Sequence, residues 1–81
     1  MKKYHDQQII NDVIEQIKAL SENEKEPALS RMRSYYEMAK EDCRHIDNTT
    51  APEEANRRKQ CVYYYEDIFD CLGIDYYGRQ Y

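Results

Sequence analysis

Apolar residues recur in three periodic runs separated by short polar breaks. In the first run Ile10, Val13, Ile17 and Leu20 follow at steps of three, four and three, with Ile9 and Ile14 widening the stripe. That spacing is one face of an α-helix, predicted over 6–21, and Asp6 stands where an N-cap would accept the unpaired amides of the first turn. The second run is the most regular: Leu29, Met32, Tyr36, Ala39, Cys43 and Ile46 are spaced three, four, three, four, three. Such a seam demands an apolar partner along its length. Ser21-x-x-Glu24 matches a capping box, but a helix begun there would carry Pro27 in its second turn, where a missing N–H and a bulky ring are costly. The second helix is therefore predicted over 27–47, with 21–26 as loop.

Asp47-Asn48-Thr49-Thr50 ends that run with turn-forming residues. Thr50-x-x-Glu53 then offers a capping box with Pro52 in the first turn. Ala55, Val62, Tyr65, Phe69 and Leu72 make the stripe of a third helix over 51–72. Gly73 is placed to close it in a left-handed conformation, with Ile74 folding back on Phe69. The tail, 73–81, is too short for another long helix.

Short connections favour antiparallel neighbours. The expected fold is all-α, a three-helix bundle in one domain built on an antiparallel hairpin of helices two and three. The first helix, or a second copy of the chain, completes it. Turning the hairpin at Asn48-Thr49 sets Tyr36 opposite Cys61 and Val62, Ala39 opposite Arg58, and Cys43 near Glu54 and Ala55. Cys43 and Cys61 then lie about 10 Å apart along the axis, too far for a disulfide, and read as small core residues.

Composition narrows the function classes. The chain has 81 residues, 35% of them charged, with 2 Gly, 2 Pro and a net charge of −4. Phosphate-backbone binding needs clustered cations, so general nucleic-acid binding is not expected. No apolar run approaches the roughly 18–20 residues of a membrane span, and the polar opening Lys2-Lys3-Tyr4-His5-Asp6 has no signal-peptide character, so a cytoplasmic protein is expected. Three Cys at irregular spacing suit reduced thiols rather than a zinc ladder. No metal, cofactor or enzymatic activity is expected: His45 and His5 have no nucleophile arranged with them, and no glycine-rich phosphate loop exists.

Tyrosine is the outlier, with 9 Tyr against one Phe and no Trp. Tyr63-Tyr64-Tyr65 fans over roughly 200° of a helix whose buried stripe spans little more than about 100°. Tyr63 should fall on the far side, among Asn56, Lys59, Asp67 and Asp70. Tyr and Arg concentrate at interface hot spots, which makes Tyr35, Tyr63, Tyr64, Tyr76 and Tyr77 the candidate partner-binding set. Acidic residues crowd 66–81, so the partner is expected to carry a basic surface.

The expected function is a non-enzymatic protein-binding module, an inhibitor or adaptor. In size, acidity and tyrosine content the chain resembles small regulators and the accessory proteins of large bacteriophages, which act on host machinery, anti-phage defence or lysis timing; no motif ties it to one family. An alternative is an oligomeric binder gripping a nucleotide or cyclic nucleotide between tyrosines and Arg33, Arg57 or Arg58. Pairing along the helix surface, Glu53 with Arg57 and Glu54 with Arg58, is the simpler reading of those arginines. A structural coiled-coil oligomeriser is the third alternative.

Overall fold

The computed structural model describes residues 2–75, and within them three helices follow in chain order: α1 (Gln7–Lys18), α2 (Glu22–Arg44) and α3 (Pro52–Leu72). The fold is an all-α three-helix bundle in which α2 and α3 make the most extensive contact. α3 is the hub, because α1 packs on it too and scarcely touches α2. Among the described residues no helix is long and apolar enough to cross a membrane.

α1 starts as its sequence dictates, with the Asp6 carboxylate accepting from the amides of Gln8 and Ile9 at 3.2 and 3.4 Å. Its buried stripe is Ile10, Ile14 and Ile17, with Val13 half-buried and Ile9 exposed. These isoleucines join Tyr36, Ile68, Phe69 and Ile74 in one core.

The start of α2 corrects the expectation. It begins at Glu22, five residues ahead of Pro27, which lies inside the helix. The Glu24 carboxylate accepts from the Ser21 backbone N–H at 3.2 Å and from its hydroxyl at 2.9 Å, and those bonds hold its pKa below the usual value. Glu22 and Glu24 also bring negative charge to the positive end of the helix dipole. The carbonyl that would pair with an N–H at Pro27 belongs to Asn23, which is exposed, so its loss of a helical donor falls at the surface rather than in the core.

α2 also ends early, at Arg44 rather than at 47. One oxygen of the Asp47 carboxylate accepts from the Thr49 amide at 2.8 Å and the Thr49 hydroxyl at 2.6 Å, while the Asp47 amide donates to the Thr50 hydroxyl at 3.1 Å. This side-chain turn outcompetes a further helical turn. It also occupies Thr50, so the N-cap of α3 is Ala51, with Pro52 as the first helical residue. The far end follows the sequence: Gly73 is left-handed (φ 69°), the Ile74 amide donates to the Phe69 carbonyl at 3.1 Å, and Ile74 is buried.

The α2–α3 pairing differs from the expected one by about a turn for long side chains. The Tyr36 ring meets Phe69 edge-on at 5.8 Å and its hydroxyl donates to Glu66 at 2.8 Å, rather than facing Cys61 and Val62. Arg58 reaches the Asp42 carbonyl at 3.4 Å, beyond Ala39. Both follow from the tilt of helical side chains toward their own N-terminus, which in an antiparallel pair carries each past its backbone neighbour in opposite directions. The three cysteines are free, and Cys61 is exposed rather than in the core. Cys43 is half-buried, and burial, then the nearby Asp42 charge and Cys61 thiol, raise its pKa.

Candidate functional site

The side of α3 expected to face water is covered by the segment before α1. Asp67, 1% exposed, is the one buried charged residue among those described. Its carboxylate accepts the backbone N–H of Lys3 at 3.0 and 2.8 Å, that of Tyr4 at 2.6 Å and the Gln7 amide at 3.0 Å. A buried carboxylate supplied with this many donors is compensated for the water it has lost. Lys3 extends onward to Glu66, with Nζ 2.7 Å from Oε1, and lies 5.8 Å from the centroid of the Tyr63 ring. His5 donates its amide to Gln60 at 2.9 Å. Residues 2–6 are thus a strap fastened along α3.

The strap changes what the tyrosines present. Tyr63 is half-buried under Lys3, not projecting alone among charges. Tyr64 is half-buried between Tyr4 and Tyr65, with edge-to-face centroid distances of 5.3 and 5.0 Å. Burial raises the pKa of both Tyr64 and Tyr65, so their hydroxyls stay protonated through the neutral range. Tyr35 is the exposed member, at 52%. Tyr76 and Tyr77 lie outside the described residues.

Two clefts divide the remaining candidates. The first, of about 370 Å³, opens between α1 and α2 over α3, where Val13, Gln16, Ile17 and Leu20 face Met32, Tyr35, Tyr64 and Tyr65. None of these eight side chains is charged. The second, of about 350 Å³, lies on the α2–α3 seam and brings Lys40, Arg44 and Lys59 around Cys43, Val62, Tyr63 and Glu66. Of the predicted partner set, Tyr35 and Tyr64 therefore share one cleft, while Tyr63 borders the other.

Of the arginines expected to hold an anion, the structure brings Arg57 and Arg58 together and sets Arg33 apart from them. Arg57 and Arg58 both bind Glu54, Arg58 at 3.1 Å, and together they drive the Glu54 pKa down to about 2. Glu54, not Glu53, thus serves both arginines. Arg58 reaches to the level of Asp42, some 14 Å along α2 from Arg33 at about 1.5 Å per residue. The acidic surface is thinner than composition implies, since Asp67 is buried and Glu66 is held by Lys3 and Tyr36. Among the described residues no three His, Cys, Asp or Glu side chains converge as metal ligands.

Sequence reasoning missed Lys3, Tyr4, Lys40 and Asp67. A usable signal existed for the first two: an aromatic residue two places before the Asp6 cap, preceded by two lysines, is more than a solvated start needs. None existed for Asp67, whose neighbours Glu66 and Asp70 read as one solvated acidic face. Comparisons with family models, curated proteins and solved structures find no match to this chain.

Proposed function

We propose that the protein is a non-enzymatic protein-binding module, an inhibitor or adaptor that takes an apolar anchor of a partner protein into the cleft between α1 and α2. The observation that carries this reading is the make-up of that cleft: eight uncharged residues drawn from all three helices and the α1–α2 turn, with the exposed Tyr35 at the rim. α1 docks on α3 and scarcely on α2, which leaves the space between them open to one or two side chains of an amphipathic helix. Tyr64 and Tyr65 are locked by ring contacts, so they offer area without a further entropy cost on binding. Uncharged walls argue against a phosphate there.

A photo-crosslinking residue at Gln16, on the α1 wall of the cleft, tests it in cells that contain the partner. One protein captured in stoichiometric amount, and lost when Leu20→Glu places a charge in the cleft, supports the module. Capture that Leu20→Glu leaves intact, or no capture, overturns it.

The second cleft favours a second reading, a small anionic ligand such as a nucleotide held by Lys40, Arg44 and Lys59 beside Tyr63. A thermal shift with a nucleotide panel, abolished by Lys59→Ala, is its signature.

A further inference from the structure

The exposed side of α2 carries two rows of residues at helical spacing, and they differ sharply. Ser30, Ser34, Glu37, Glu41 and Arg44 are polar throughout. Ala28, which is half-buried, Arg31, Tyr35, Met38, Asp42 and the C-cap residue His45 are spaced three, four, three, four, three, and their centre is apolar. Tyr35 and Met38 are 52% and 63% exposed, two of the three large hydrophobic residues left open to water among those described. The flanking charges are opposite in sign. Neither the Arg31 nor the Asp42 side chain forms a salt bridge within the chain, among the described residues.

Turned end for end about the point midway between Tyr36 and Glu37, the row maps onto itself. Tyr35 then meets Met38 of a second copy, Arg31 meets Asp42, and Ala28 makes room for His45. We infer that α2 pairs antiparallel with α2 of a second copy through this row, forming a two-fold symmetric homodimer. Heptad spacing supplies the seam, and in antiparallel helices the two apolar positions of one heptad pack against each other's counterparts. A two-fold interface requires a self-complementary patch, and Tyr35–Met38 flanked by Arg31–Asp42 meets that requirement twice over. The ring and thioether bring area and sulfur–aromatic contact at the centre, and the ion pairs fix direction, because parallel pairing would set like charges against each other. One helix face is a small interface, so the dimer forms at the weak end of specific association.

Sedimentation equilibrium of the full chain over a wide concentration range tests it. The expected mass rises from one copy to two, Met38→Glu abolishes the rise, and Arg31→Asp or Asp42→Arg alone weakens it by about tenfold or more, since each sets two like-charge contacts in the dimer. Arg31→Asp combined with Asp42→Arg restores pairing, which also excludes misfolding as the cause of the single losses. A single-copy mass at every concentration overturns the inference, as does a dimer indifferent to Met38→Glu or a double variant weaker than either single. The groove reading is separable: Leu20→Glu leaves this dimer intact, and Met38→Glu leaves the crosslink at Gln16.

Discussion

The Tyr4 amide lies 2.6 Å from a carboxylate oxygen of Asp67, and this contact helps tie the segment before α1 to the C-terminal part of α3. Tyr4 then meets the Tyr64 ring edge-to-face, and its neighbour Lys3 adds two more bonds to the same carboxylate. The strap is held by hydrogen bonds that converge on one carboxylate and by the Tyr4 ring packed against the core.

Asp67→Ala removes the acceptor and leaves the Lys3 and Tyr4 amides facing a void. Hydrogen bonds to a charged partner contribute about 1.5–3 kcal/mol, and with several lost together the expected destabilisation is at least about 3 kcal/mol. Urea denaturation measures it. Hydrogen exchange at the Lys3 and Tyr4 amides should accelerate further than exchange in α2, because the strap detaches before the bundle opens. Unchanged protection at those two amides would refute the arrangement.

Pro27→Ala should stabilise the protein. Proline inside a helix costs about 3 kcal/mol against alanine, and its stiffening of the unfolded chain returns about 0.4–1 kcal/mol. A net gain of about 1–3 kcal/mol, read from thermal or urea unfolding, is expected, with the Ser21–Glu24 cap unchanged. A loss of stability would mean that the helix does not run through this residue.

Glu54 predicts the acid limb of stability. Its pKa falls to about 2 from an ordinary 4.5, because Arg57 first, and then Arg58, donate to its carboxylate. A folded-state pKa below the unfolded one stabilises the fold above about pH 4.5, and that contribution is lost as pH falls toward 2. Glu41 and Asp47 shift in the same direction, through Arg44 and Thr49 respectively, so the limb is shared. Glu54→Gln should flatten the fall in melting temperature between pH 5 and pH 2, and salt should shrink the difference, since Glu54 is only half-buried and Arg57 is exposed.

Periodicity read the interior of this fold well because burial there is a matter of angle. Ile10, Tyr36, Phe69 and the Gly73–Ile74 closure stand where spacing and stereochemistry put them. It failed at Pro27, where one local penalty was weighed without the gain from the Ser21–Glu24 pair. Long side chains exposed a second limit, since Tyr36 and Arg58 reach a turn beyond their backbone neighbours. Asp67 exposed a third. A helix has no outside face in its sequence if an irregular segment crosses it, and such a segment has no period to read. The candidate site suffered most, because its parts depend on where the strap runs and on how α1 leans.

Fastening Lys3 to Asp67 closes a span of 64 residues, and on a ribosome that closure has to wait. The α2–α3 hairpin needs only nearby segments and can zip as soon as α3 emerges, whereas the opening residues stay unanchored through most of synthesis. The Lys3 and Tyr4 amides have no acceptor until Asp67 has emerged and α1 has docked beside it, so the strap should lock last and set the final step of maturation.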